Sequence, residues 1–233
     1  MPGAVVQIYC DFDGTVTMCD TTDAVLSQLA LPEWEALEAD WTGGRITAAE
    51  CMRRQVALIQ GSDTALDAVL DRVELRPGFL PFLHWCESQS LPLFIVSDGV
   101  DGFISRVLKR HGLSRLPVFA NRLAGVPGAR RLEQPWAVAA CSSGSGVCKC
   151  RVAQQESNGL LVYIGDGRSD FCVAREADLL FARGELARHC TAERIPFIAY
   201  DTFAEIHRYL YLMQRDLPMN ASCLSTSRMV GLA

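Results

Sequence analysis

The stretch VVQIYCDFDGT at residues 5–15 decides the fold, because an apolar run ends directly in two carboxylates and a glycine. The run is long enough for a buried strand, and Asp11 and Asp13 follow at its end. Like-charged carboxylates repel each other at a partly desolvated strand end, so the pair is costly unless a cation or a phosphate ester uses it. Gly14 permits a tight turn, and Thr15 adds a hydroxyl and a backbone N–H. The stretch therefore indicates an enzyme site at the end of a first strand.

From residue 77 onward, short apolar runs alternate with segments of helical periodicity. The strongest runs are continuous rather than alternating, which is typical of strands buried on both faces of a sheet. The predicted strands lie at residues 93–96, 118–120, 160–164, 179–181 and 197–200. Strands that alternate with helices predict an α/β fold with a doubly wound parallel sheet.

The segment between the first two predicted strands has apolar residues at helical spacing and no strand pattern. Asp20 can cap one of its helices, and Thr47 with Glu50 forms a capping box before another. We therefore expect an all-helical cap domain inserted into the core domain, followed by a small-residue tail that is flexible. The predicted ranges are 1–15 and 77–217 for the core, 16–76 for the cap and 218–233 for the tail.

Composition narrows the function classes. The 233 residues are 49% hydrophobic and carry a formal net charge of -5, without a basic stripe, so nucleic acid is not an expected partner. No apolar run reaches the roughly 20 residues that span a bilayer, and the N-terminal residues do not resemble a signal peptide. We expect a cytoplasmic protein without a membrane partner, a monomer or homodimer with mostly reduced cysteines.

Polar residues follow three of the predicted strands, and a lysine lies between two of them. Because the carboxyl ends of parallel strands meet at one edge of the sheet, these residues should lie close together. The set comprises Asp11, Asp13, Ser97, Asp98, Gly99, Lys149, Asp166 and Asp170.

Each member has a physical task if the ligand is a phosphate ester. Asp11 can attack phosphorus only where the charge of the dianion is offset, and Mg²⁺ held by Asp11 and Asp166 would offset it. Lys149 and Ser97 would hold the phosphate oxygens. Asp13 would protonate the leaving oxygen and then deprotonate the attacking water.

Two further tasks complete the predicted site. Asp170 would brace Lys149 or a metal-bound water. Asp98 and Gly99, which follow Ser97, are expected beside the phosphate, although a turn-forming Asp-Gly pair explains them equally well.

The order Asp-x-Asp-Gly-Thr, Ser, Lys and Gly-Asp-x-x-x-Asp resembles the haloacid dehalogenase-like (HAD) phosphohydrolases over nearly the whole chain. The resemblance implies a Rossmann-like core and hydrolysis through an aspartyl phosphate on Asp11. It also implies that Asp13 is the acid/base, that Ser97 and Lys149 bind phosphate, and that Mg²⁺ is held by Asp11, Asp166 and the backbone carbonyl of Asp13.

Four local stretches are similar to a narrower group, the MtnX-type phosphatases, which act on a phosphorylated diketo intermediate of methionine salvage. These stretches are SDG at 97–99, ANRL at 120–123, the cysteine-rich run before Lys149, and LFAR at 180–183. The resemblance implies a small phosphorylated metabolite as substrate.

The helical insert is similar to that of phosphoserine phosphatases, which leaves phosphoserine as an alternative substrate. Gly14 and Asp98 depart from the residues usual in that group, whereas Asp20 and Arg53 lie near the positions that hold the ammonium and carboxylate of phosphoserine. The simpler explanation of Arg53 is a solvated helix residue. A non-catalytic or phosphate-accepting signalling domain is a remoter alternative, which the acid/base position of Asp13 disfavours.

Cys141, Cys148 and Cys150 flank Lys149 in a loop rich in glycine and serine. A structural zinc site normally has four ligands, and this cluster has three local ones with no histidine nearby. Free thiols, a disulfide and a metal site all remain open from the sequence.

Overall fold

The computed structural model describes residues 6–156 and 159–216, and this part of the chain contains a seven-stranded sheet flanked by helices. The strands are β1 (Val6–Cys10), β2 (Leu93–Val100), β3 (Val118–Ala124), β4 (Arg131–Glu133), β5 (Leu160–Gly165), β6 (Leu179–Ala182) and β7 (Ile198–Ala199). The helices are α1 (Thr21–Leu29), α2 (Trp34–Thr42), α3 (Ala48–Ala57), α4 (Asp63–Leu70), α5 (Phe79–Ser88), α6 (Asp101–Arg110), α7 (Lys149–Glu156), α8 (Gly184–Glu193) and α9 (Phe203–Asp216). The tail predicted at 218–233 lies outside the described residues.

The strand order is β4-β3-β2-β1-β5-β6-β7, and every neighbouring pair is parallel except β3 with β4. β1 is central, so Tyr9 pairs with Phe94 of β2 on one side and with Tyr163 of β5 on the other. The predicted α/β fold with a doubly wound parallel sheet is confirmed.

The two faces of β1 belong to different cores, which explains why four of its five residues are apolar. Ile8 and Cys10 pack into the core that includes Phe203 of α9, whereas Tyr9 packs into the opposite core with Leu186 of α8. All these side chains are fully buried. The rigid sheet thus fixes where the residues that follow β1 emerge.

Four helices, α1 to α4, occupy the chain between β1 and α5, as the apolar spacing predicted. The chain enters and leaves this segment side by side, because Thr17 and Leu75 form an isolated antiparallel bridge. A second bridge joins Ala30 to Ile59 inside the segment. Single-residue bridges have no periodicity, and the sequence did not predict them.

The strand β4 was also missed. Its three residues alternate exposed Arg131, buried Leu132 and half-buried Glu133, and they pair antiparallel with β3 at the sheet edge. A charged three-residue run has too little pattern to predict a strand. Likewise β2 continues past its predicted end at Val96 to Val100, through an irregularity in its pairing with β3. Within the described ranges, no helix combines the length and apolar character that crossing a bilayer requires.

Candidate active site

The turn after β1 is held against the end of β5. The backbone N–H of Asp11 donates to the carbonyl of Ile164 at 2.9 Å, and the hydroxyl of Thr15 donates to Asp166 Oδ1 at 2.8 Å. Gly14 has a φ of +72°, and a Cβ at this position would collide with the Asp166 carboxylate. Glycine is therefore required here both by conformation and by close approach.

Arg76 secures the same turn from behind. Its Nε donates to the carbonyl of Thr15 at 2.9 Å, and its guanidinium also donates to the carbonyls of Gly14 and Thr17. The side chain is 9% exposed, so these bonds are largely shielded from water. The sequence offered no signal for this residue, because it follows the helical insert and belongs to no motif.

Asp13 lies between Thr21 and Ser97, in surroundings that suit a group that gives and takes protons. Its Oδ1 accepts from the N–H and the hydroxyl of Thr21, both at 2.7 Å, and its Oδ2 accepts from Ser97 Oγ at 3.4 Å. Burial, followed by the negative charge of Asp20, raises the pKa of Asp13 to about 7. A carboxyl group with this pKa can both give and take a proton near neutral pH. A Cβ on Gly99 would collide with Asp13, so that glycine also serves close packing.

Lys149 is fully buried at the start of α7 and lies between two carboxylates. Its Nζ is 2.8 Å from Asp11 Oδ1 and 2.6 Å from Asp170 Oδ1. Burial alone would lower the pKa of Lys149, but the two carboxylates raise it above its ordinary value. The residue is therefore an ammonium ion beside Asp11.

Both oxygens of Asp170 are occupied by donors from the protein. Besides Lys149, Tyr163 donates its hydroxyl to Oδ1 at 2.6 Å, and the backbone N–H groups of Asp166 and Gly167 donate to Oδ2 at 2.9 and 3.0 Å. A carboxylate with four donors has little remaining capacity for a metal ion. The geometry favours bracing of Lys149 over metal binding, and Tyr163 is a partner that the sequence did not indicate.

Asp11 and Asp166 can offer oxygen atoms to a hard divalent cation, with Asp170 close by. Carboxylate oxygens of Asp11, Asp166 and Asp170 lie within 4.8 Å of one another. Burial, together with the charge of Asp170, raises the pKa of both Asp11 and Asp166, so the negative charge there is incompletely compensated. Three carboxylates beside one ammonium leave two negative charges, which one divalent ion would neutralise. Oxygen ligands of this kind suit Mg²⁺.

The carboxylate of Asp98, which the sequence placed beside the phosphate, is hydrogen-bonded to the segment that precedes Lys149. Its Oδ1 accepts from the N–H of Val147 at 2.9 Å and from Asn121 Nδ2 at 3.2 Å, and the Asn121 amide also donates to the Asp98 carbonyl. The half-buried side chain thereby fastens the segment before Lys149 to the end of β2. This places the carboxylate of Asp98 in a structural contact, and Ser97 beside Asp13 and Gly99.

A cavity of about 730 Å³ opens over these residues, between the sheet edge and the helical insert. Helix α3 contributes positions 48, 51, 52 and 55, which share one face of a helix. Arg53 lies off this face, is exposed, and is not among the cavity residues. Asp20 does line the cavity, while its carboxylate also caps α1 by accepting from the N–H groups of Thr22 and Asp23 at 2.8 and 3.0 Å.

One contact between the helical insert and the core lies at the wall of the cavity. The guanidinium carbon of Arg168 lies 5.4 Å from the ring centroid of Trp41, a cation–π arrangement. Both residues line the cavity. The contact joins α2 of the insert to the loop that carries Asp166.

Comparison with known sequences agrees with this geometry, since a profile of the haloacid dehalogenase-like hydrolases matches residues 8–175. The chain belongs to this family. The match spans every predicted motif from Asp11 to Asp170.

Two relatives match almost end to end. A 2-hydroxy-3-keto-5-methylthiopentenyl-1-phosphate phosphatase from Geobacillus thermodenitrificans is 32% identical over 213 residues, which cover 89% of this chain and 96% of the relative. A phosphatase of the same name from Brevibacillus brevis is 29% identical over 217 residues, covering 90% of this chain and 97% of the relative. The predicted resemblance and the enzyme class, a HAD-type phosphatase, are therefore confirmed.

Solved structures show the same fold. A phosphoserine phosphatase with an analogue of its phospho-aspartyl intermediate has a TM-score of 0.64 at 19% identity, covering 88% of this chain and 99% of that one. A HAD family hydrolase from Salmonella enterica serovar Typhi has a TM-score of 0.70 at 22% identity, covering 93% of this chain and 74% of that one.

Proposed function

We propose that this chain is a Mg²⁺-dependent phosphomonoesterase, which transfers the phosphoryl group of a small metabolite to Asp11 and then to water. The supporting observation is that Asp11, Asp13 and Asp166 line one cavity and that Lys149, paired with Asp170, contacts Asp11, although these residues come from three separate parts of the chain. Family membership supports the same reaction class.

The residues divide the work. A bound Mg²⁺, held by Asp11, Asp166 and the backbone carbonyl of Asp13, would offset the charge of the phosphate. Lys149 adds a positive charge next to Asp11 and thus favours approach of the dianion. Ser97 places a hydroxyl beside Asp13 for a phosphate oxygen.

Asp13 serves both half-reactions. In the first, its proton passes to the leaving alkoxide while the bond from phosphorus to Asp11 forms. In the second, its carboxylate takes a proton from water, which attacks phosphorus and releases inorganic phosphate. A pKa of about 7 supplies both protonation states at neutral pH.

The residues that line the cavity favour a substrate whose part beyond the phosphate is uncharged. Its wall from the insert includes Trp41, Met52 and the amide of Gln55, together with acidic residues. No lysine or arginine of the insert, all of which lies in the described part of the chain, is among the cavity residues. A substrate carboxylate would therefore lack a cation there, which favours a diketo-methylthiopentane phosphate, the substrate class in the relatives' names.

Phosphoserine remains the alternative. Asp20, Asp23 and Glu38 line the cavity and would attract its ammonium group. Its carboxylate would have to reach Arg168 or Arg175 on the core side. Parallel measurement of kcat/KM for phosphoserine and the diketo phosphate decides between them, and a higher value for phosphoserine would overturn the preference.

The reaction is tested by phosphate release from a metabolite panel with and without Mg²⁺. Asp11→Asn should abolish release, and Asp13→Asn should slow it by about 10²–10⁴-fold, the usual contribution of a general acid or base. Mass spectrometry of the rapidly quenched Asp13→Asn variant should detect a phosphorylated peptide that contains Asp11. Asp178→Asn is the control, because Asp178 accepts one bond from the Leu161 N–H and lies outside the cavity. Unchanged turnover in Asp11→Asn would refute the proposal.

We also propose that residues 16–76 act as a cap over the site, that the protein works in the cytoplasm on small metabolites rather than on nucleic acid or a membrane, and that it is a monomer or homodimer. The Arg168–Trp41 contact supports the cap assignment. Light scattering of the purified chain tests the oligomeric state.

A further inference from the structure

The structure brings together four cysteines that are dispersed in the sequence. The sulfur atoms of Cys141, Cys148, Cys150 and Cys172 all lie within 4.8 Å of one another. Three of them flank Lys149, and the fourth comes from the segment after the short 3₁₀ helix Arg168–Asp170. The sequence analysis found only three cysteines close together along the chain, and the fold brings Cys172 to them as a fourth.

The spacing fits a single metal ion. Four thiolates around zinc, at about 2.3 Å from the metal, form a tetrahedron whose sulfur atoms are about 3.8 Å apart. Here Cys148 and Cys150 are 3.3 Å apart, and the largest separation stays within 4.8 Å. Small side-chain rotations would equalise these distances. An iron–sulfur cluster would hold its four thiolates further apart, because the inorganic core lies between them.

A hydroxyl group lies beside one of the sulfur atoms. Ser143 Oγ is 3.1 Å from Cys141 Sγ. Hydrogen bonds of this kind orient metal-bound thiolates and reduce their charge.

We propose that Cys141, Cys148, Cys150 and Cys172 bind one thiophilic divalent cation, with zinc as the ion best suited to four sulfur ligands. The site is separate from the carboxylate site, whose oxygen donors suit Mg²⁺. It ties the start of α7 to the loop after β5, which are the two segments that carry Lys149 and Asp170. Its consequence is positional: the cation holds the Lys149–Asp170 pair in place without touching substrate.

Metal binding itself is measurable apart from phosphatase activity. Protein purified under reducing conditions and dialysed against excess Mg²⁺ should retain about one zinc per chain by elemental analysis. Titration of the metal-stripped protein with Co²⁺ should produce thiolate-to-cobalt charge-transfer absorption, which carboxylates cannot give. Binding releases protons from the thiols, so the Co²⁺ affinity should rise with pH.

Variants locate the site. Cys172→Ser and Cys141→Ser should each weaken Co²⁺ affinity by more than about 10-fold, since even outer-shell changes cost 10–100-fold. Cys86→Ser is the matched control, because Cys86 is a buried cysteine of α5 outside the cluster, and it should bind Co²⁺ like the wild type. Asp11→Asn should also retain the absorption, which separates this site from the Mg²⁺ site.

Alkylation of the wild-type protein avoids reliance on variants that fail to fold. Zn²⁺ should protect the four cluster cysteines from alkylation, as read by peptide mass spectrometry, and leave the exposed Cys19 reactive. Any one of three results would overturn the proposal: no charge-transfer absorption, no protection by Zn²⁺, or a disulfide within the cluster under reducing purification.

Discussion

Replacing Asp170 by asparagine tests whether this residue positions Lys149 or binds metal. The side chain is fully buried, and its two oxygens accept four hydrogen bonds. An asparagine amide has one oxygen and one NH₂ group, so in either orientation its NH₂ meets donors. It also removes one of the two carboxylates beside Lys149.

The expected cost follows from these contacts. Breaking a buried ion pair costs about 3–5 kcal/mol, and the lower end applies because Lys149 keeps Asp11. Domains have about 5–15 kcal/mol of stability, so Asp170→Asn should still fold. With an m-value of about 3 kcal/mol/M, the urea midpoint should fall by about 1 M. A displacement of Lys149 by about 1 Å should lower kcat by about 100-fold.

The assay combines urea unfolding with phosphate release across a Mg²⁺ titration. If Asp170 positions Lys149, the Mg²⁺ concentration for half-maximal activity of Asp170→Asn should stay within about threefold of wild type, since Asp170 has little capacity left for an ion. Asp178→Asn is the control and should change the free energy of unfolding by less than about 0.5 kcal/mol, as surface changes usually do. A half-maximal Mg²⁺ concentration raised tenfold or more, with kcat retained, would identify Asp170 as a metal ligand and refute this reasoning.

Three other perturbations test separate contacts. Asp20→Asn keeps the cap of α1 but removes a negative charge that raises the pKa of Asp13. Asp13 then loses its proton at a lower pH, and the alkaline limb of the kcat–pH profile should move to lower pH. An unchanged limb would contradict the assignment of Asp13 as the acid. Gly99→Ala should lower kcat more than 10-fold, because its Cβ would displace Asp13, whereas Gly102→Ala has ordinary contacts and should behave as wild type. Lys149→Met should lose about 3–5 kcal/mol of unfolding free energy. Added Mg²⁺ should raise the Tm of this variant more than that of wild type, as followed by circular dichroism. Equal increases in Tm would count against the inference that Lys149 and Mg²⁺ offset the charge of the same carboxylates.

The parallel core could be predicted from the sequence because its central strands contain long apolar runs. Runs such as that ending at Cys10 require burial on both faces, and few architectures provide it. The same logic placed Asp11 and Asp166 at one edge, since both follow adjacent parallel strands. The sequence did not predict β4, because this strand is short and charged, and because it forms only where β3 offers a free edge.

Residues that act through long-range contacts carried no sequence signal. Arg76 resembles any helix-flanking arginine until the fold brings it under the Gly14 turn. Cys172 lies far along the chain from Cys141, and Asn121 of β3 reaches Asp98 of the neighbouring strand β2. Sequence spacing reports neighbours on one helix or strand, whereas these contacts depend on how segments from different elements are packed. Arg53 shows the opposite case, because a suitable residue type lies on the wrong helix face.

The position of Lys149 depends on polar contacts made by the segment that precedes it. Asp98 fastens Val147 to the end of β2, and the N–H of Cys148 donates to the carbonyl of Trp136 at 3.0 Å. Such contacts are directional, so they fix the ammonium beside Asp11 and Asp170, which apolar packing alone would not do. Because a buried ammonium without partners is costly, the native arrangement and the competent site are stabilised by the same bonds. A metal bound to the four cysteines would add a further constraint on both ends of the Lys149–Asp170 pair.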